Sequence, residues 1–157
     1  MNTQSNLQPF QLTRDLLHFN TINPPGMERD CARHLGRLLE AAGFDVKYHE
    51  FAASRTSVVA TVGGRHEKPP ICFTGHIDIV PLGTAAWSKD PFTGETDGDR
   101  LYGRGSTDMK SGLAAVVVAA SQLAPFLKNS PGVTPVSPAS RAVGCAGSQS
   151  RAGEKLL

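Results

Sequence analysis

The hydrophobic period of the chain changes at Gly43, and this change restricts it to folds that combine helices with a sheet. Upstream, Leu7, Phe10, Leu12, Leu16, Leu17 and Phe19 recur at mostly helical spacing. The pattern stops before Asn23-Pro24-Pro25-Gly26, where two prolines and a glycine prevent continuation. Cys31, Leu35, Leu38, Leu39 and Ala42 make a second helical stripe, opened by acidic Glu28 and Asp30 and closed at Gly43, a residue suited to a C-cap. Downstream, the spacing falls to period two or to short apolar runs over residues 45–51, 57–62 and 71–74, broken by Gly63-Gly64 and Pro69-Pro70. These runs predict strands. The last of them, Ile71-Cys72-Phe73-Thr74, has the character of a buried sheet strand and leads straight into Gly75-His76-Ile77-Asp78. Leu101-Tyr102 suggests a further short strand, and residues 110–127 a helix packed against a sheet. Alternating helices and strands argue for an α/β architecture.

The chain has 157 residues, which suits one domain that needs neither disulfides nor a structural metal to fold. Sixteen basic residues against fourteen acidic ones leave a formal charge of +2, without the basic excess of a nucleic-acid-binding protein. Cys31, Cys72 and Cys145 are odd in number and widely spaced, which fits a reducing compartment better than a disulfide framework. The first ten residues are polar and lack a basic run followed by an apolar stretch, so no signal peptide is expected. The apolar run over residues 113–120 is too short to span a bilayer, so no membrane association is expected. Together these features predict a cytoplasmic protein. Residues 132–136 are the one further strand candidate, weakened by Pro135, and residues 139–157 show no sustained hydrophobic period.

His76 and Asp78 stand two apart, so in an extended segment both side chains leave on one face. The arrangement suits a metal site, where a carboxylate fixes the tautomer of a ligating imidazole, and equally suits a histidine hydrogen-bonded at a strand end. Asp108 follows the glycines of Gly103-Arg104-Gly105 and precedes a helix expected near Lys110, where it reads as a functional carboxylate or as an N-cap. The sequence contains no dinucleotide-binding glycine loop, phosphate loop or nucleophile elbow. Glu95, Asp97 and Asp99 alternate but are not followed by the Gly and distant Glu of a calcium loop, and read as a solvated turn. His18, His34, His49 and His66 read as surface or helix-face residues, and Trp87 as a packed aromatic in preference to a wall of a site.

In combination and order, three motifs resemble one family: Gly75-His76-Ile77-Asp78-Ile79-Val80-Pro81, then Trp87-Ser88-Lys89-Asp90-Pro91-Phe92, then the stretch from Asp97-Gly98-Asp99 through Gly103-Arg104-Gly105-Ser106-Thr107-Asp108-Met109-Lys110. The family is that of the dinuclear zinc amidohydrolases, which includes acetylornithine deacetylase, succinyl-diaminopimelate desuccinylase, aminoacylase and glutamate carboxypeptidase. The resemblance implies a three-layer α/β zinc-peptidase-like catalytic domain, of which residues 1–133 are the N-terminal part. It further implies His76 as a zinc ligand, Asp108 as the carboxylate bridging two zinc ions, and Asp78 as the catalytic-site residue that orients His76. Cobalt or manganese fits such a site as well as zinc. The implied chemistry is hydrolysis of small N-acyl amino acids or peptides by a metal-activated water, with a glutamate as general base.

The resemblance also exposes departures. Aligned on Gly144, Cys145 and Gly147, the sequence places Arg141 and Ala142 where the family carries a Glu-Glu pair that supplies the base and a ligand. Arginine has no acceptor and alanine no functional group. The later ligands and the dimerisation or lid domain of the family have no counterpart here, so His76 and Asp108 alone are retained. Residues 134–157 therefore read as a degenerate or truncated tail, with the sheet one strand short. Two readings follow. One is a metal-dependent hydrolase by descent, inactive as this polypeptide, and the other a non-catalytic remnant or small-ligand or metal-binding protein.

Overall fold

The computed structural model describes residues 7–63 and 72–129, together with the backbone of 142–146. Helix α1 (Pro9–Leu17) starts at a proline, whose missing N–H costs nothing in a first turn, and buries Leu12, Thr13, Leu16 and Leu17. Helix α2 (Arg29–Ala42) buries Cys31, Ala32, Leu35, Leu39 and Ala42. It ends at Gly43 with φ 91°, the left-handed C-cap expected from the sequence.

Strands β1 (Asp45–Ala52) and β2 (Arg55–Thr61) form an antiparallel hairpin. In β2, Thr56, Val58 and Ala60 are buried in alternation with half-buried neighbours. Strand β3 (Phe73–His76) carries the first sequence motif. β4 (Thr96–Asp97) and β5 (Arg100–Leu101) make a small separate hairpin, so the acidic turn around Asp97 and Asp99 is a β-turn at Gly98 rather than a cation loop. An irregular helical turn, Ser106–Lys110, precedes helix α3 (Ser111–Asn129). β6 (Ala142–Ala146) completes the main sheet, whose strand order is β1-β2-β6-β3.

Two expectations need correction here. The sheet is not a strand short: β6 lies antiparallel to β2 and parallel to β3, so part of the stretch read as a degenerate tail is inserted between them. Small and β-branched residues, Ala142-Val143-Gly144-Cys145-Ala146, make this possible despite the missing hydrophobic period. Nor is β3 a buried strand. It ends the strand order, and Phe73 is 48% exposed because no further strand among the described residues flanks it. Ile71 and the strand candidate at 132–136 lie outside the described residues.

Register shows how the helices cover the sheet. Tyr48 is paired with Val58, Val58 with Cys145, and Cys145 with Gly75, so these positions share one face. Tyr48 packs over Gly36 of α2, and Leu113 of α3 lies over Gly75. α2 and α3 are therefore on the same face, and α1 joins them in one hydrophobic cluster with Val58 and Ala60. The described residues thus supply two of the three layers named by the resemblance. The segment Ser106–Leu127 is long and apolar enough to cross a bilayer on composition. In the fold it buries Leu113, Ala114, Val117, Val118 and Ala124 in this cluster.

Candidate functional site

At the end of β3 the chain turns past residues 20–23, and paired hydrogen bonds lock the two segments together. Thr21 Oγ1 donates to Ile77 O at 2.6 Å, Ile79 N to Thr21 O at 3.0 Å and Asn23 N to Ile79 O at 2.9 Å. This clamp fixes Asp78. One oxygen accepts from Asn23 Nδ2 at 3.1 Å, and the other lies 3.2 Å from His76 Nδ1. On the far side of the ring, His76 Nε2 is 3.0 Å from Asp108 Oδ1. Three sequence-predicted residues are therefore in contact, with His76 between the two carboxylates.

The protonation state follows from the partners. His76 Nδ1 faces only acceptors, the Asp78 carboxylate and, at 3.0 Å, the Asp78 carbonyl, so it carries a proton. Nε2 faces a second carboxylate and is also best satisfied as a donor. Burial pulls the His76 pKa down, but the Asp78 carbonyl and the Asp108 and Asp78 carboxylates together outweigh it and leave the pKa above its ordinary value. Asp108 is the open side of the site, with its side chain 85% exposed, whereas that of Asp78 is 14% exposed.

Asp108 is not an N-cap. It lies inside the turn Ser106–Lys110 with non-helical φ −125° and ψ 93°, after Gly105 at φ 84°. A Cβ at Gly105 would fall 2.4 Å from Ile79 Cγ2, so a side chain there is excluded both by clash and by conformation. The other end of the turn is pinned by Lys110, which is fully buried and donates from Nζ to Leu16 O and Phe19 O, each at 2.9 Å. Burial lowers its pKa. Lys110 thus ties the segment bearing Asp108 to the carboxyl end of α1, where a cation is favoured. Asn23 and Lys110 both escaped the sequence reading, the first because it reads as a helix stop and the second because it reads as the start of a helix.

The cleft at this site has a volume of about 250 Å³ and is bordered by Asn23, His76, Asp78, Arg104 and Asp108. Among the described residues no three His, Cys, Asp or Glu side chains form a metal-binding group. Arg141 lies outside the described residues, and Ala142 sits at the end of β6 away from His76, which is paired with Ala146. Ala142 therefore stands four positions along β6 from the partner of His76. Trp87 is 40% exposed and stacked by Arg104, at the rim rather than in the core. His34 packs against Phe19, apart from the cleft.

Residues 72–135 match Peptidase family M20/M25/M40. The match contains all three motifs and the whole His76–Asp108 pair. Over these residues the chain is similar to the M20/M25/M40 peptidases. It is 38% identical over 118 residues to succinyl-diaminopimelate desuccinylase of Wolbachia sp. subsp. Brugia malayi, covering 72% of this chain and 28% of the relative. The enzyme of the same name from Gluconobacter oxydans is 38% identical over 117 residues, covering 73% and 29%. The chain therefore spans less than a third of the length of these relatives. Among solved structures, the M20 metallo-carboxypeptidase of Sulfolobus solfataricus superposes with a TM-score of 0.70 at 22% identity, over 89% of this chain and 30% of that one. Human carnosine dipeptidase 1 gives 0.67 at 21% identity, over 88% and 31%. At such identities these superpositions speak to the α/β fold alone, over about a third of the length of each neighbour.

Proposed function

We propose that this chain carries part of the catalytic cleft of a metal-dependent hydrolase of N-acyl amino acids or small peptides, of the acetylornithine deacetylase or succinyl-diaminopimelate desuccinylase kind, in the cytoplasm. The observation that carries the reading is the contact of His76 Nε2 with Asp108 Oδ1 at 3.0 Å, bringing together residues 32 apart, with Asp78 behind the ring. His76 and Asp108 are the metal donors in this reading, and Asp78 holds the imidazole. Zinc is the expected ion, with cobalt or manganese as substitutes.

The donors present do not complete such a site. Zinc takes about four ligands in structural sites and about three plus water in catalytic ones. His76 and Asp108 supply half of that set. A second reading, a non-catalytic metal- or ligand-binding remnant, is favoured by one observation: Ala146 stands opposite His76 on β6, with Gly147 and Ser148 next in sequence.

Zinc titration with metal analysis after dialysis, alongside turnover of N-succinyl and N-acetyl amino acids, tests both readings. Weak zinc binding that disappears in His76→Ala, without turnover, is expected of the 157-residue chain. Binding unchanged in His76→Ala would overturn the site. Robust turnover would overturn the incomplete donor set.

A further inference from the structure

Among the described residues, Arg104 is a cation without an anion. Its guanidinium lies 4.9 Å over the ring of Trp87, and its Nη2 donates to Leu82 O at 3.3 Å. Trp87 Nε1 donates to the same carbonyl at 3.2 Å, so both side chains are fixed to one point of the loop that follows the first motif. The backbone is held too, since Arg104 N donates to Pro91 O at 2.9 Å. A guanidinium has five N–H donors and does not deprotonate in proteins. Here one of them has an acceptor, and Nε is buried with none among the described residues. Arg29, Arg55 and Lys89, by contrast, each face a carboxylate.

The position of this unpaired charge gives it a use. Arg104 borders the same cleft as His76, Asp78 and Asp108. The two aspartates do not neutralise it, because they are engaged by His76 and Asn23. We propose that Arg104, held over the ring of Trp87, is an anion subsite of the cleft that takes a carboxylate of a small organic acid. A planar fork matches the two oxygens of a carboxylate, and the stack on Trp87 removes much of the side-chain ordering that binding otherwise costs. The subsite deepens the proposed function and rests on it for the identity of the ligand, since N-acyl amino acids carry a free carboxylate. It does not rest on a bound metal.

Trp87 is the single tryptophan, so one indole N–H signal in a proton–nitrogen correlation spectrum reports the pair without ambiguity. The metal-free chain is titrated with succinate, with its neutral isostere succinamide, and with sodium chloride at matched ionic strength. The expected result is a saturable shift with succinate alone. Arg104→Lys, which keeps the charge but not the fork, weakens succinate binding by about tenfold or more. Zinc titration of the unsubstituted chain and of Arg104→Lys is a separate readout, in which zinc binding is unchanged by the substitution, so failure of the metal reading and failure of the subsite are separate outcomes. An equal shift from succinamide or salt overturns the proposal, as does unchanged affinity in Arg104→Lys. Should that variant not fold, the comparison of succinate with succinamide on the unsubstituted chain still decides.

Discussion

Removing Arg55 should cost the fold a large part of its stability, because Glu28 is fully buried and Arg55 is the cation facing it. Arg55 Nη2 lies 3.1 Å from Glu28 Oε1, and Nε donates to Oε2 at 3.3 Å, a two-point pairing between β2 and the start of α2. Breaking one side of a buried pair leaves an uncompensated charge, at a cost of about 3–5 kcal/mol. The stack of Arg55 on Phe51, 5.1 Å from the ring centre, adds a smaller loss. Against a total stability of roughly 5–15 kcal/mol, Arg55→Met is severe. At roughly 2–4 °C per kcal/mol for a domain of this size, the melting temperature should fall by roughly 6–20 °C.

The second arm of the experiment isolates the cause. Glu28→Gln combined with Arg55→Met leaves no charge in the pocket and should recover more than half of the loss, since replacing both partners of a buried pair is often close to neutral. Urea unfolding of the parent, both single variants and the double variant completes the cycle. A loss under about 1 kcal/mol in Arg55→Met would mean that the pair behaves like an exposed one, and the reasoning from burial would be wrong.

Asp78→Ala should weaken zinc binding by roughly 10–100-fold, the usual effect of losing a partner behind a ligating histidine, and Asn23→Ala by less; calorimetric titration measures both, and two tightly held zinc ions per chain would contradict the site. Because its folded pKa is raised, His76 contributes stability that is present below the ordinary histidine pKa and lost as pH rises through the raised value. The stability gap between the parent and His76→Ala should therefore narrow on going from acid to mildly alkaline pH, while zinc affinity rises over the same range as the competing proton leaves. Burial pushes the Cys31 thiol up to about 12, whereas Cys72 is exposed. A thiol reagent at neutral pH should modify Cys72 at once and Cys31 only on unfolding; rapid modification of Cys31 in the folded chain would refute its burial.

The helices were legible because their signals are local. The stripe from Cys31 to Ala42, with Gly43 behind it, specifies both the buried face and the end of α2, and tertiary context changed neither. His76 and Asp78 were legible for the same reason, as period two in a strand puts them on one face. What the sequence hid depends on partners distant in the chain. Asn23 matters through Asp78, 55 residues away, and Lys110 through Leu16 O, 94 residues away. Neither pairing has a local pattern. β6 was hidden because its strand is held by backbone bonds to both β2 and β3, which a short stretch of small residues can make without an alternating apolar face.

The register of β6 also decides where a carboxylate would have to stand to join His76. His76 is opposite Ala146, and Phe73 is opposite Val143. A strand advances about 3.3 Å per residue, so Ala142 is roughly 13 Å from Ala146 along β6, beyond the reach of a glutamate side chain to the imidazole. Glutamates introduced at Arg141 and Ala142, the positions indicated by the Gly144-Cys145 alignment, should therefore leave zinc affinity unchanged. The positions that follow Ala146 in the chain are Gly147 and Ser148, neither of which carries an anionic group. Gly147→Glu with Ser148→Glu should raise zinc affinity, and His76→Ala in that background should remove the gain. Calorimetric titration of the two double variants distinguishes the alignments. Tighter zinc binding by the Arg141→Glu, Ala142→Glu variant, with none by the Gly147→Glu, Ser148→Glu variant, would show that the pairing of β6 with β3 is not the one that builds the site.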